Sequence, residues 1–360
     1  MTGPGPDRLS KLVAERSIIV CCGSGGVGKT TTAAALALEA AAQGRNACVV
    51  TIDPAKRLAD ALGLESLTNQ PGLIEGDWPG QLWAVMLDTK STFDDLVTRY
   101  SATSQQAETI MHNPLYRNIS GALSGTQEYM AMEKLYELHD AAKYDVIVID
   151  TPPSRHALDF LDAPRRLTRF LDNRIFRLLV MPTRAYLRAV SVATQAFVRT
   201  VSRVVGAEVV KDAVAFFVAF EGMEEGFRNR AQRVHELLSD PETSFVLVAA
   251  PRRDAVTEAL YFANRLRQSH IGIEALIVNR MHPHFGDVPA VARGGDLEPF
   301  LHNLEELGHV AAREEHHLAD LASQVSPAPV VRVPFLQTDV HDVAGLVEVG
   351  DYLFGRVRSG

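Results

Sequence analysis

The sequence predicts an α/β fold: a mostly parallel central sheet flanked by helices, with a helical subdomain inserted beside it. Three observations predict it. Short, near-continuous Val/Ile/Leu runs alternate with helical patterns, as strands covered on both faces do. The first run passes through a glycine-rich turn into a helix and on to a second run, which makes a compact βαβ unit. Two long stretches, at about 91–140 and 155–240, are patterned almost wholly as helix.

The strand candidates, in order, are "SIIVCC" (17–22), "NACVVTID" (46–53), "LWAVML" (82–87), "DVIVID" (145–150), "SFVLVAA" (244–250), "IEALIVN" (273–279) and "VVRVPFL" (330–336). Between the first two, "TTTAAALALEAAAQ" (30–43) is built of strong helix formers and ends at Gly44, which suits a C-terminal cap. In the second long stretch Val190, Thr194, Phe197, Val201, Val204 and Val205 recur at helical spacing. Both long stretches are read as one helical subdomain within a single domain spanning 1–360. "MHPHFGDVPAVARGGDLEPF" (281–300) reads as an exposed loop, and the terminal "LVEVGDYLFGRVRS" as a segment that packs on the core.

Composition bounds the function. The chain has 360 residues, 46% hydrophobic and 22% charged, enough for a large core. No apolar run approaches the roughly 18 residues of a membrane span. Residues 1–16 lack the pattern of a signal peptide. The expectation is a cytoplasmic protein with no transmembrane segment. A net charge of −8 argues against a nucleic-acid partner. Cys21, Cys22 and Cys48 lie on strand candidates without metal or disulfide spacing, and are expected as buried apolar residues. His282, His284, His316 and His317 lack companion cysteines or ordered carboxylates, and read as loop and surface residues.

The chemistry gathers at "GSGGVGKT" (23–30), which satisfies G-x-x-x-x-G-K-[ST] between a strand and a helix. This is the phosphate loop of a P-loop NTPase. Backbone N–H groups of Gly25, Gly26, Val27, Gly28, Lys29, Thr30 and Thr31 are expected to cradle phosphate at a helix N-terminus. Lys29 would reach the β- and γ-phosphates, and the Thr30 hydroxyl would bind Mg²⁺. Asp53 and Asp150 end strand candidates, where an open α/β sheet binds its ligands. Each could also cap a following helix; beside a phosphate loop, a role at the metal and the attacking water is preferred. The amide of Asn279 can read a purine edge. No N-K-x-D motif is present, which favours ATP over GTP.

"GSGGVGKTT", "TIDPAKRLADALG", "GTQEYMAMEKLYEL", "DTPPSRHALDFLDAP", "FEGMEEGFRNRA", "IVNRM" and "VPFLQTDV", in this order and spacing, carry a family resemblance. The chain resembles the anion-transporting ATPases, which include the arsenite-pump ATPase and the tail-anchored-protein targeting ATPase, and it is closest to their actinobacterial branch. The resemblance covers nearly the whole chain. It implies that Asp53 positions the attacking water in a first switch. It implies that Asp150, in "DTPPS", belongs to a second switch sensing the γ-phosphate and the metal. It assigns Asn279 to adenine, and Pro334 and Phe335 to the loop lining the adenine pocket. It also implies a dimer with ATP at its interface, whose closure reshapes the helical subdomains.

The sequence departs from the family at several points. The family loop is G-K-G-G-x-G-K-T, whose extra lysine reaches the partner's nucleotide; here that position is Ser24. Three readings follow: a heterodimer with a related subunit that supplies the lysine, a homodimer that hydrolyses weakly or uses Lys56 or Arg57, and a serine that merely packs the loop. The zinc-clamping C-x-x-C and the arsenite-binding cysteines are absent, and there is one catalytic module rather than two.

Residues 165–203 concentrate arginines (165, 166, 169, 174, 177, 184, 188, 199 and 203) against the single acid Asp172. They are expected to form a surface for an anionic partner or lipid headgroups, the rim of a groove for an apolar client segment, or a basic helix face that is solvated or paired with acids elsewhere. The expected function is thus a dimeric, Mg-ATP-hydrolysing P-loop ATPase. Its nucleotide state would control a helical subdomain that binds a protein or membrane-protein client, and its location would be cytoplasmic or peripheral to the membrane. The alternatives are a nucleotide-binding regulatory half of a heterodimer, an ATP-dependent transferase or ligase on the same fold, and a partition-type ATPase.

Overall fold

A computed structural model describes residues 4–52, 56–114, 116–117, 126–151, 207–286 and 298–356. Asp53, the arginines of 165–203, the stripe at 190–205, and most of both the "DTPPS" segment and the 281–300 loop lie outside the described residues. The chain divides into two compact units. One comprises Met1–Met86, Glu137–Leu158 and Asp240–Gly360; the other comprises Leu87–Tyr136 and Asp159–Ser239.

The first unit is built on a sheet of eight strands: β1 (Ile18–Cys22), β2 (Asn46–Thr51), β3 (Gly72–Ile74), β4 (Gln81–Met86), β5 (Val146–Asp150), β6 (Thr243–Ala249), β7 (Ile273–Met281) and β8 (Val330–Pro334). Their order across the sheet is β3-β4-β2-β5-β1-β6-β7-β8. Every pairing is parallel except β3 with β4. All seven strand candidates are strands. β1, β5 and β6 carry almost wholly buried residues, which is why their sequences are continuously apolar rather than alternating. The antiparallel edge strand β3 is an addition to the expected set. Cys21, Cys22 and Cys48 are free and buried within strands, as expected.

Helix α1 (Pro4–Glu15) precedes β1, and α2 (Lys29–Ala42) follows it. In α2 the alanines let the helix lie close to the sheet, and residues 32–41 are all buried. Its end is a Schellman motif: Gly44, at φ 87°, donates to Ala41 O, and Arg45 donates to Ala40 O. The short α3 (Arg57–Ala61) follows β2, and α9 (Arg253–Gln268) joins β6 to β7. The expected 281–300 loop is shorter at both ends, because β7 runs through Met281 and α10 spans Glu298–Val325. α11 (Val343–Leu353) buries Leu346, Val349 and Leu353 in the core, as expected of the terminal segment.

The described part of the second unit is helical. It contains α4 (Thr89–Tyr100), α5 (Ser104–Met111), most of α6 (Thr126–Asp140), α7 (Ala207–Ala219) and α8 (Glu224–Ser239). Asp88 caps α4 and Thr103 caps α5. Phe93, Tyr100, Tyr116, Phe216, Phe220 and Phe227 form a connected aromatic core with ring centroids 5.1–6.5 Å apart. Met130, Met132 and Met223 are buried; Met181 lies outside the described residues.

Candidate nucleotide site

The site begins where β1 ends. Gly23 has φ 151°, and a β-carbon there would stand 2.1 Å from the Val248 carbonyl oxygen of the neighbouring strand β6. Gly26 and Gly28 also have positive φ, 75° and 94°. A β-carbon on Gly28 would stand 2.1 Å from Asn279 Nδ2, so this glycine gives the asparagine room as well as adopting the left-handed turn. Gly28 caps α2 without a side-chain hydrogen bond, and the first N–H groups of the helix have no intrahelical acceptor. Their partial positive charge makes the turn a place for an anion.

Lys29 is buried, and its Nζ donates to the Ser24 carbonyl oxygen at 2.9 Å. The loop thus folds back on its own lysine. Ser24 is 4% exposed, and its hydroxyl has no hydrogen-bond partner among the described residues. The Thr30 hydroxyl donates to Asp150 Oδ2 at 2.7 Å, and the Thr51 hydroxyl donates to the same oxygen at 2.9 Å. This follows from sheet order: β5 lies between β1 and β2, with Asp150 level with Cys21 and Thr51. Burial raises the Cys21 thiol pKa well above its ordinary value, and the Asp150 carboxylate raises it further. Burial pushes Cys22 up to about 12, partly offset by Lys29. Both stay neutral thiols beside the loop.

On the other side of the loop, Asn279 Nδ2 donates to the Val27 carbonyl oxygen at 3.0 Å, and Oδ1 accepts from the Arg280 N–H at 2.9 Å. An amide has two N–H groups and two lone pairs, so one of each remains for a ligand. β7 carries a bulge against β8: Val278 pairs with Arg332 but Met281 with Pro334, which leaves one extra residue on β7. Phe335 donates its N–H to the Met281 carbonyl oxygen at 2.8 Å; its largely exposed ring stacks on His282 with centroids 6.3 Å apart.

A cleft of about 420 Å³ joins these parts. Its walls include Gly26, Gly28, Lys29, Thr30, Thr31, Asp150, Asn279, Pro334 and Phe335. Gly25 and Val27 are not in its walls; Gly25 is exposed and Val27 is buried behind the loop, using its carbonyl on Asn279. Arg57, Asp60, Thr151, Arg280, Thr338 and Asp339 also line the cleft. The sequence offers Arg57 only as a cation reaching a partner. For Arg280 the one sequence signal was its place after Asn279 in "IVNRM". No cluster of three or more His, Cys, Asp or Glu that could hold a metal occurs among the described residues. The Thr30 hydroxyl and Asp150 carboxylate are a small set of hard oxygen donors, which fits Mg²⁺ held by one or two side chains together with substrate phosphates.

The family model described as the anion-transporting ATPase matches residues 16–355. The chain belongs to the anion-transporting ATPase family. It is an ATP-binding P-loop ATPase, and the reaction is the hydrolysis of ATP. Curated relatives agree. The ATPase get3 of Schizosaccharomyces japonicus is 23% identical over 355 residues, covering 97% of each chain. ATPase GET3A of Arabidopsis thaliana is 28% identical over 262 residues, 72% of this chain and 65% of its own. The ATPase ASNA1 homolog of Dictyostelium discoideum is 26% identical over 263 residues, 72% and 70% of the two chains. Among the described residues of this ATPase, no helix is long and apolar enough to cross a membrane.

Proposed function

We propose that this ATPase binds Mg-ATP in the cleft described above and works as a dimer. Its nucleotide state sets the affinity of an inserted helical subdomain, at about 91–140 and 155–240, for a protein or membrane-protein client. The reading rests above all on one observation: Lys29, Thr30 and Asp150 meet at one end of a single cleft, and Asn279, Pro334 and Phe335 stand in its walls. Lys29 exchanges its bond to the Ser24 carbonyl for the phosphates and neutralises charge developing on them. Thr30 and Asp150 would hold Mg²⁺, which supplies further positive charge to the phosphate oxygens when bound. Asp53 orients the attacking water, a role carried over from the family resemblance. Asn279 and Phe335 receive the adenine. A cytoplasmic location, with the helical subdomain meeting membrane clients, follows from the same resemblance.

Acceptor-free ATP turnover tests this, and steady turnover without an acceptor also disfavours a transferase or ligase. Lys29→Ala is expected to abolish nucleotide binding. Asp53→Asn is expected to keep ATP binding and lose about 10²-fold or more in kcat. Wild-type turnover in Asp53→Asn removes that residue from its role.

The buried Ser24 hydroxyl supports a second reading, in which the chain is the nucleotide-binding half of a heterodimer with weak hydrolysis of its own. A short neutral group enclosed by its own loop offers no cation to a partner. Low turnover by the protein alone, raised by Ser24→Lys, favours this reading; fast turnover that the lysine does not improve removes it.

A further inference from the structure

Arg280 occupies a backbone position that suits glycine. Its φ is 61°, in the left-handed region where a β-carbon costs about 1–2 kcal/mol. The β7 bulge falls at this point, and a left-handed residue in a bulge is ordinarily glycine. A long cation at such a place points to a use for its side chain. The backbone N–H is fixed on Asn279 Oδ1 at 2.9 Å, and the guanidinium Nη1 donates to the Gly26 carbonyl oxygen at 3.3 Å. The side chain therefore runs from the end of β7 to the phosphate loop and forms part of the cleft wall. The remaining guanidinium donors have no partner among the described residues.

Sheet order says which end of the cleft this is. Asp150 ends β5, and β7 lies three strands away in the order β5-β1-β6-β7. At about 4.8 Å per strand the ends of β5 and β7 stand roughly 14 Å apart, and the phosphate loop, which leaves β1, lies between them. Arg280 follows Asn279 on the β7 side of the loop, where Phe335 also lines the cleft.

We propose that Arg280 is a nucleoside-binding residue, whose guanidinium plane, steadied by the Gly26 carbonyl, stacks on the adenine ring of bound ATP. A guanidinium is planar, weakly hydrated and permanently charged, so it stacks flat on a purine face more favourably than a compact, strongly hydrated ammonium does. This rests on the reading that the cleft is the ATP site. It assigns a residue beyond those read from the sequence to holding the base.

The test uses Arg280→Gly, which deletes the side chain while leaving a residue that prefers the left-handed backbone, so the fold is retained and the melting temperature is unchanged or higher. Binding of Mg-ATP and of inorganic triphosphate is measured by calorimetry on wild type, Arg280→Gly, Arg280→Lys and Lys29→Ala. For Arg280→Gly the Kd for ATP is expected to rise about tenfold, the size of a partly desolvated cation–π contact. The Kd for triphosphate should stay within about twofold, and KM for ATP should rise without a change in kcat. Arg280→Lys should recover only part of the loss. Unchanged ATP affinity in Arg280→Gly, or an equal loss for ATP and triphosphate, overturns the proposal. Lys29→Ala should lose both ligands. If it binds ATP as wild type does, the cleft assignment itself falls, and Arg280's role with it. If it loses both while Arg280→Gly binds normally, the role of Arg280 alone falls.

Discussion

Gly23 is a motif glycine whose constraint comes from packing as well as from phosphate. Its φ of 151° and the Val248 carbonyl 2.1 Å from any β-carbon make alanine a problem of β1 against β6. Gly23→Ala is expected to cost at least about 2 kcal/mol, measured by urea unfolding without nucleotide. A loss of ATP affinity with unchanged apo stability would show that packing is not the constraint. From the sequence this glycine is simply the first letter of G-x-x-x-x-G-K-[ST], because the strand that crowds it lies more than 200 residues away. The same limit applies at Asn279. Its residue type and strand-end position were legible; the use of its amide on Val27 and Arg280 was not, since both depend on the bulge. Lys29, Thr30 and Asp150 were legible as a set, because a loop between β1 and α2 and an acid at the end of an adjacent strand are bound to meet.

Elements with a strong period or composition could be read, and short ones could not. The buried strands announced themselves by continuous Val/Ile/Leu runs and α2 by its alanines, whereas β3 is three residues that begin with a glycine and has no period to detect. In the helical unit the long-range pairing of α6 with α8 was equally invisible. There Arg230 Nε donates to Glu133 Oε2 at 2.7 Å, the Tyr129 hydroxyl donates to Oε1 at 2.6 Å, and the Arg230 guanidinium lies 3.8 Å from the Tyr136 ring centroid. Burial raises the Glu133 pKa, and Arg230 offsets this only in part. The pair is therefore costly to break from one side. Glu133→Ala leaves a buried guanidinium without its carboxylate and is expected to lose about 3–5 kcal/mol. Glu133→Gln, which keeps an acceptor and carries no charge to desolvate, should lose clearly less. Equal losses in thermal or chemical unfolding would refute this account of the pair.

At the scale of the molecule, buried neutral acids are expected to make stability fall at alkaline pH. Burial is the largest cause raising the pKa of Cys21, Cys22 and Tyr129. A raised folded-state pKa means that the native chain keeps its proton while the unfolded chain releases it. The contribution is therefore complete below the unfolded values, 9.0 for the thiols and 10.0 for the phenol, and is lost as pH rises above them. Each such group steepens the decline by about 1.4 kcal/mol per pH unit. The urea midpoint should hold between pH 7 and 8, fall above about pH 9 and fall more steeply above about pH 10. A midpoint flat to pH 11 would show that these groups ionise in place.

The alanines of α2 carry a consequence for redesign. A helix enclosed from residue 32 to 41 has no room for larger side chains, so the triphosphate end of the cleft cannot be recut from behind. The other end is built from the tips of β7 and β8, where Asn279 and Arg280 touch the phosphate loop but Phe335 stands largely exposed and can be exchanged without disturbing the loop or the enclosed helix. Efforts to make this ATPase accept a different base should therefore leave the phosphate machinery as it is and work on that rim.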